Sequence, residues 1–494
     1  MLLGVLGNLF SLDTFFFMNL GLLIGIIFGS IPGLTTVLAV VLFTPMTFGL
    51  APVPSMMLLL GIYCGGTYGG SITAILINTP GTPAASATVL DGYQLAKKGQ
   101  AKKALEMALY ASVIGGLFSA AVLLAAAPQV AKLTLLFGAP EYFALAFLGL
   151  CIIIGVSGDD LFVGIISGCI GLLVSTVGID KTSGASRYSF GNINLTSGIE
   201  LLILMIGIFA VVEVVNKCTK IYRAPGKAAD TPREEVSLKD EEGLTGSEMK
   251  RCMKTIIRSS AIGTAIGAMP GTGAALSSFI SYDMAKRNSP VAENFGKGEL
   301  EGVAATEAGN NGATGATLIP LLTLGIPGDN VTAVMIGALT VQGLIPGPNL
   351  FTASGDKIYA IMFGLFLVNL FMLVQGKVIL KYAVKISHLK DELLVPIILI
   401  FCASGAYAVR NSTFDLILVV LIGFAGYCMQ RLKMPMLPLI LGAVIGPIAE
   451  ANFRRSLAMS QTGALIFITR PISAGFILAA VVLTGWTLYK RYKK

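Results

Sequence analysis

Apolar residues run through this chain in blocks long enough to cross a bilayer, separated by short polar or charged stretches. A spanning helix needs roughly 20 mostly apolar residues. The pattern predicts helices near 104–127, 142–157, 161–178, 196–216, 357–376, 393–409, 412–430, 434–450 and 463–484. Two stretches, 9–95 and 256–348, are as apolar but repeatedly cut by Gly, Pro, Ser, Thr and Asn. They read as broken or re-entrant helices, a backbone tolerated at membrane depth only where it faces protein or an aqueous cavity. The prediction is an all-α polytopic membrane protein with about 11–12 spans. Residues 1–28 carry no basic leader and read as a retained first hydrophobic segment.

One long polar segment, 217–255, interrupts the pattern near the middle and reads as a cytoplasmic linker. It divides the chain into a first half, 1–216, and a second half, 256–450, with an extra helix and basic tail at 451–494. The halves repeat each other. FGSIPG at 28–33 corresponds to IGAMPG at 266–271, and CGGTYGGSITAILINTPGTP at 64–83 to AGNNGATGATLIPLLTLGIPGDN at 308–330. Gly66 and Gly69 match Gly312 and Gly315, and Pro80-Gly81 matches Pro327-Gly328 after a one-residue slip.

Charge adds an orientation. Basic loops at Lys97, Lys98, Lys102 and Lys103, at Lys377, Lys381, Lys385 and Lys390, and at Arg431 and Lys433 belong with the linker on the cytoplasmic side. The tail ending Lys490, Arg491, Lys493, Lys494 joins them, and Lys181, Arg187, Arg454, Arg455 and Arg470 fall outside. The loop at 346–357, equivalent to the basic loop at 96–103, is nearly free of positive charge. Equivalent loops on opposite sides imply two inverted-topology repeats, a common plan of secondary transporters.

Composition narrows the chemistry. The 494 residues are 54% hydrophobic and only 13% charged, where soluble domains carry about 25% charged residues. The net charge of +8 lies in loops, so the bilayer accounts for it and nucleic acid is not needed as a partner. The seven Cys are scattered without paired spacing, and the single His, His388, lies in a charged loop. A histidine metal cluster is thereby excluded. The 58 glycines suit both close helix packing in lipid and helix breaks at a site.

The repeated elements carry the candidate chemistry. Breaking a helix frees terminal N–H and C=O groups, which a ligand can satisfy. The N–H end favours anions and the C=O end cations. The repeated elements contain no Lys or Arg, so an anion held there relies on helix N-termini, backbone N–H groups and hydroxyls. Candidate substrate-binding residues are Gly33, Thr35, Thr82 and Ser86, with Gly271, Thr272 and Asn330 in the second half. Candidate cation ligands are Asn310, Asn311, Glu307 and Asp329, the last two being carboxylates in apolar surroundings. Asp91 reads as an interfacial cap or a partner of Lys97 or Lys98, and Asp159 and Asp160 as residues of a turn.

The segments FGSIPG at 28–33, GGSITAILINTPGTPAASATVLDGYQLAKKGQA at 69–101 and LIPLLTLGIPGDNVTAVMIGALTVQGLIPGP at 318–348 resemble the large membrane subunit of tripartite tricarboxylate transporters, the TctA family. The resemblance spans nearly the whole chain. It implies a secondary transporter of the bacterial inner membrane that imports carboxylates such as citrate, driven by a sodium ion or proton gradient, with no other cofactor. It implies two protein partners, a small membrane subunit and a periplasmic solute-binding protein. The family's binding signatures fall on Asn78, Thr79, Pro80, Gly81, Thr82 and Pro83, and on Gly325, Ile326, Pro327 and Gly328. The chain departs from the family pattern at Asp329 and Asn330, where small residues are usual, and at Gln342, where His is frequent. A channel shares the outline of two inverted halves, and flux without ion coupling is its mark. A membrane enzyme needs a compact constellation, and the polar clusters hold no His–Asp pair and no convincing Ser–Lys dyad.

Overall fold

The structure is a computed structural model that describes residues 2–156, 161–180, 183–223, 242–383 and 391–492. Asp159, Asp160, Lys181, Lys385, His388, Lys390, Lys493, Lys494 and most of the linker lie outside the described residues. In chain order the helices are α1 Leu2–Leu9, α2 Leu12–Gly29, α3 Thr36–Phe43, α4 Pro52–Ile77, α5 Val89–Lys97, α6 Ala101–Thr134, α7 Ala139–Val156 and α8 Leu161–Ser175. They continue with α9 Ile193–Thr196, α10 Leu201–Met205, α11 Val212–Arg223, α12 Gly246–Gly267, α13 Gly273–Asn288, α14 Leu300–Ala316, α15 Leu318–Leu324 and α16 Asn330–Val341. The remainder are α17 Leu350–Ala353, α18 Gly355–Leu380, α19 Asp391–Arg410, α20 Thr413–Arg431, α21 Met436–Met459, α22 Ile466–Thr469 and α23 Pro471–Tyr492. A π segment, Ile206–Val211, joins α10 to α11. The only strands among the described residues form a two-stranded antiparallel pair, Gly178–Ile179 with Ser186–Arg187.

Eight described helices are long and apolar enough to cross a membrane, or nine if the pair bent by 88° at Arg470 is one span. The expected 11–12 included shorter apolar pieces, and four helices of that kind are present: Thr36–Thr47, Ala139–Cys151, Leu161–Ser175 and Asn330–Val341. Two of the four, at 36–47 and 330–341, flank the breaks expected from the sequence. The breaks are fewer than the Gly and Ser content suggested. CGGTYGG lies inside the continuous 26-residue α4, and AGNNGATGA inside α14.

Compact packing divides the chain into two units, and each takes one segment from either side of the linker. The first comprises Met1–Val130 and Glu213–Gly405, the second Ala131–Val212 and Ala406–Lys494. All the broken helices of both sequence halves therefore belong to the first unit.

Glycine explains how that unit packs. On α2, Cβ atoms at Gly21, Gly25 and Gly29 would stand 2.1, 2.4 and 2.4 Å from the carbonyl oxygens of Leu58, Ile62 and Gly66 on α4. In return, Cβ atoms at Gly61, Gly65 and Gly69 would stand 2.6, 2.5 and 2.5 Å from carbonyls of Met18, Leu22 and Ile26. The spacing of four puts each set on one helix face. Backbone contact of this kind offsets the ~0.5–1 kcal/mol that a mid-helix glycine costs. α12 and α14 pack alike, with Gly263 against Gly309 and Gly267 against Ala313. Contacts across the halves are reciprocal: α3 packs on α16, and α13 on the 3-10 turn Pro83–Ser86. The two equivalent helices α4 and α14 meet each other. Tyr63 there lies opposite Thr317 and Thr67 opposite Asn310, so the two helices run antiparallel.

The basic loop and the end of the linker are tied together by charge. Lys103 lies 3.1 Å from Glu248 and 3.6 Å from Glu242, joining the 98–103 segment to the start of α12 and the residues before it. Thr245 and Glu248 form a capping box that starts α12. Asp91 does not pair with Lys97 or Lys98. It is 1% exposed, and its Oδ1 accepts from the backbone N–H groups of Gly296, Gly298 and Glu299 at 2.8–2.9 Å while Oδ2 accepts from Tyr282. A side chain so placed pins α5 to the 296–299 loop instead of facing the surface.

In the second unit, α7 packs on α21 and α23, α8 on α21, and α20 on the π segment. Several of its charges are paired: Arg470 with Glu141, Arg410 with Asp415, and Arg187 and Arg454 with Asp180 and Glu450.

Candidate functional site

Four breaks interrupt the helices of the first unit, at 30–35, 78–82, 268–272 and 325–329. Each uses a residue that tolerates left-handed backbone or a Pro-Gly pair. At the first, Gly33 has φ +84° and Thr35 caps α3 by accepting from the Leu38 N–H at 3.2 Å. At the third, Gly271 and Gly273 have φ +78° and +65°, and the Thr272 hydroxyl donates to the carbonyls of Ile266 and Met269.

At the second and fourth breaks the Pro-Gly pair and the left-handed residue are separate. Gly81 and Gly328 follow Pro but are not left-handed. That conformation belongs to the residues three positions earlier, Asn78 at φ 56° and Gly325 at φ 72°, which cap α4 and α15. Gly81 and Gly328 are instead sites of close approach. A Cβ on Gly81 would lie 1.9 Å from the Gly29 carbonyl oxygen, and one on Gly328 would lie 2.7 Å from Cα of Thr317.

The breaks of each half come together. In the first half the Gly81 N–H donates to the Gly70 carbonyl at 3.2 Å while Gly81 presses on Gly29, the last residue before the first break. In the second half the Gly271 N–H donates to the Gly328 carbonyl at 2.9 Å. Thr82 and Asp329, one residue beyond each Pro-Gly, are both N-caps. Thr82 accepts from the Ala85 N–H, and Asp329 Oδ1 accepts from Thr332 in a capping box. Asp329 Oδ2 accepts from the Tyr63 hydroxyl at 2.6 Å, which also meets Thr317. This carboxylate thus compensates the N-terminus of α16. Asn78 and Thr79 are exposed, Pro80 and Ser86 half-buried, and Pro327 buried. The Asn330 amide oxygen is buried without a hydrogen-bond partner. Gln342 donates to the Thr47 carbonyl at 2.6 Å and so tethers the end of α16 to the first half.

A second polar cluster lies where α14 meets Thr88, at the start of α5, and Ser112 on α6. Glu307 is fully buried. Its Oε1 accepts from Thr88 at 2.5 Å and its Oε2 from Ser112 at 3.2 Å. Asn311 donates to Ser112 at 2.8 Å, and Thr88 also meets Thr306 at 3.0 Å. The hydroxyl chain at Glu307 is satisfied in two protonation states. With Glu307 ionised, Thr88 donates to it. With Glu307 protonated, it donates to Thr88, which donates to Thr306, which donates to the Val303 carbonyl. The amide oxygens of Asn310 and Asn311 and the hydroxyl of Tyr68 are buried without partners in the same region. Oxygen atoms of this kind beside a carboxylate suit a proton or a hard cation.

The sequence reading did not single out Tyr63, Thr88 or Ser112, which are lone hydroxyls in apolar or helical surroundings and acquire meaning only through packing. A recess of about 320 Å³ in the 343–354 loop is lined by none of the candidate site residues.

Long apolar helices, interrupted by paired breaks, place the protein in the class of polytopic α-helical membrane proteins. Comparison with known proteins gives the family. The model described as the tripartite tricarboxylate transporter TctA family matches residues 15–441. The chain belongs to that family, a family of transporter subunits. An uncharacterized 52.8 kDa protein in the TAR-I ttuC' 3' region of Agrobacterium vitis is 36% identical over 468 residues, covering 94% of this chain and 91% of the relative. An uncharacterized protein in the TAR-II ttuC' 3' region of the same organism is 36% identical over 224 residues, covering 45% of this chain and 93% of the relative. No solved structure matches the chain.

Proposed function

We propose that the protein is the large membrane subunit of a secondary transporter that imports tri- or dicarboxylates across the bacterial inner membrane. A small membrane subunit completes the membrane part, and a periplasmic solute-binding protein delivers the substrate. The observation that carries this reading is the pairing of Pro-Gly breaks within each half, in a chain of this family.

Substrate carboxylates are held at the breaks by Gly33, Thr35, Asn78, Thr79, Pro80, Gly81, Thr82 and Ser86, and by Gly271, Thr272, Pro327, Gly328 and Asn330. The coupling sodium ion or proton is taken by Glu307 with Asn310 and Asn311. Asp329, engaged by Tyr63 and Thr332, lies at the edge of that path. The halves are inverted repeats. The antiparallel run of the equivalent helices α4 and α14 and the reciprocal contacts of α3 and α13 support that arrangement.

The test is uptake by the reconstituted complex across labelled mono-, di- and tricarboxylates, with and without a sodium gradient. Gradient-dependent uptake of a di- or tricarboxylate is expected, and its absence across the panel overturns the reading. Cysteine accessibility tests the inversion: loops 96–103 and 349–356 label from opposite sides, and labelling from one side refutes it.

A further inference from the structure

The breaks themselves contain no cation, yet a carboxylate bound in a low-dielectric site needs a counter-charge. The fold brings one to the first break from elsewhere in the chain. Lys217, on α11, is 5% exposed and is the only buried lysine or arginine among the described residues. Lys220 and Arg223, further along the same helix, are exposed, as anchors at the cytoplasmic surface are. Lys217 turns inward instead. It lies 3.7 Å from Glu213, one turn earlier. The pair sits against Gly33: a Cβ there would be 3.1 Å from Glu213 Oε1 and 3.4 Å from Lys217 Nζ. Glycine at 33 therefore serves two ends, the left-handed turn and the bare backbone facing the ion pair. The hydroxyl of Thr36, three residues on and 5% exposed, is buried without a hydrogen-bond partner.

We propose that the Lys217 ammonium binds a carboxylate of the transported substrate at the first break, with Glu213 as the internal carboxylate that holds the position between transport events. A lysine buried in a membrane protein is costly and is retained for function. Exchanging one carboxylate partner for another keeps the ammonium paired throughout, so no bare charge is left in the protein. The proposal rests on carboxylate import and adds the residue that recognises the anionic charge.

The experiment measures uptake of labelled citrate, succinate and lactate by the reconstituted complex carrying Lys217→Gln, Lys217→Arg, Glu213→Gln or the double variant K217Q/E213Q. A charge-assisted hydrogen bond is worth enough to shift the half-saturating concentration by about tenfold or more. K217Q raises that concentration for citrate by such a factor, most for citrate and least for lactate. K217R keeps most of the affinity. E213Q, lacking the internal competitor, lowers the half-saturating concentration. The double variant stays as weak as K217Q. Recovery of normal uptake in the double variant means that the ion pair is only structural and overturns the proposal, as does an unchanged half-saturating concentration in K217Q. If K217Q does not reach the membrane, E213Q decides: an unchanged or higher half-saturating concentration overturns the proposal. A native complex that imports none of the three compounds overturns the function itself, and this assignment with it.

Discussion

Gly81→Ala separates two roles that the sequence merges at a Pro-Gly pair. Gly81 is not left-handed, so alanine meets no backbone strain there. What it meets is the first break: the new Cβ would lie 1.9 Å from the Gly29 carbonyl oxygen and 3.0 Å from Cα of Gly70. Both are backbone atoms of packed helices, so the methyl cannot be accommodated by turning a side chain. Relief requires the break to move by more than an ångström, and overpacking of this kind costs about 1–3 kcal/mol. The displacement falls on the contact joining the two breaks of the first half. Uptake should therefore fall about 5–150-fold, the factor that 1–3 kcal/mol corresponds to, while membrane insertion is kept. Gly99→Ala is the control, at φ +70° in the basic loop with nothing within 4 Å of its Cβ. It should carry backbone strain of about 1 kcal/mol and leave uptake unchanged. The assay is initial-rate uptake by reconstituted complex, normalised to protein inserted. Normal uptake in G81A with impaired uptake in G99A would refute the assignment of Gly81 to close approach.

Three further predictions follow from the packing. Gly25→Ala places a Cβ 2.4 Å from the Ile62 carbonyl oxygen, whereas Gly7→Ala meets nothing within 4 Å. The first should lose about 1–3 kcal/mol of stability and the second gain up to ~1 kcal/mol from helix propensity, read as opposite shifts in thermal melting in detergent. Asp91→Asn weakens an acceptor of three backbone N–H groups and one hydroxyl. It should cost about 1.5–3 kcal/mol and expose the 289–299 loop to protease. Glu307→Gln keeps the shape of the network around Thr88 and Ser112 but fixes its proton count, so residual uptake should lose its dependence on the ion gradient; unchanged coupling removes Glu307 from the cation path.

The all-α polytopic class and the four Pro-Gly breaks were legible in the sequence, because apolar run length and Pro-Gly turns are local signals. Glycine inside helices misled it. CGGTYGG has the composition of a loop, but its glycines form the contact face that lets α2 approach α4, and that face exists only once both helices are present. Asp329 stood out as a carboxylate beyond a Pro-Gly, and its capping of α16 could have been anticipated from Thr332 three residues later. The bond from Tyr63 could not, since 266 positions separate the two residues. Lys217 was hidden by its setting. In sequence it opens a charged linker, and only the turn of α11 shows that it faces Gly33 while its neighbours face outward.

The most direct measurement is concentrative uptake. Proteoliposomes holding the reconstituted complex are given labelled citrate and an imposed inward sodium or proton gradient, in the presence of the binding protein. Secondary transport predicts that internal citrate rises above the external concentration and falls back when an ionophore collapses the gradient. Equilibration to the external concentration alone, unaffected by the ionophore, would contradict coupled transport and identify a channel.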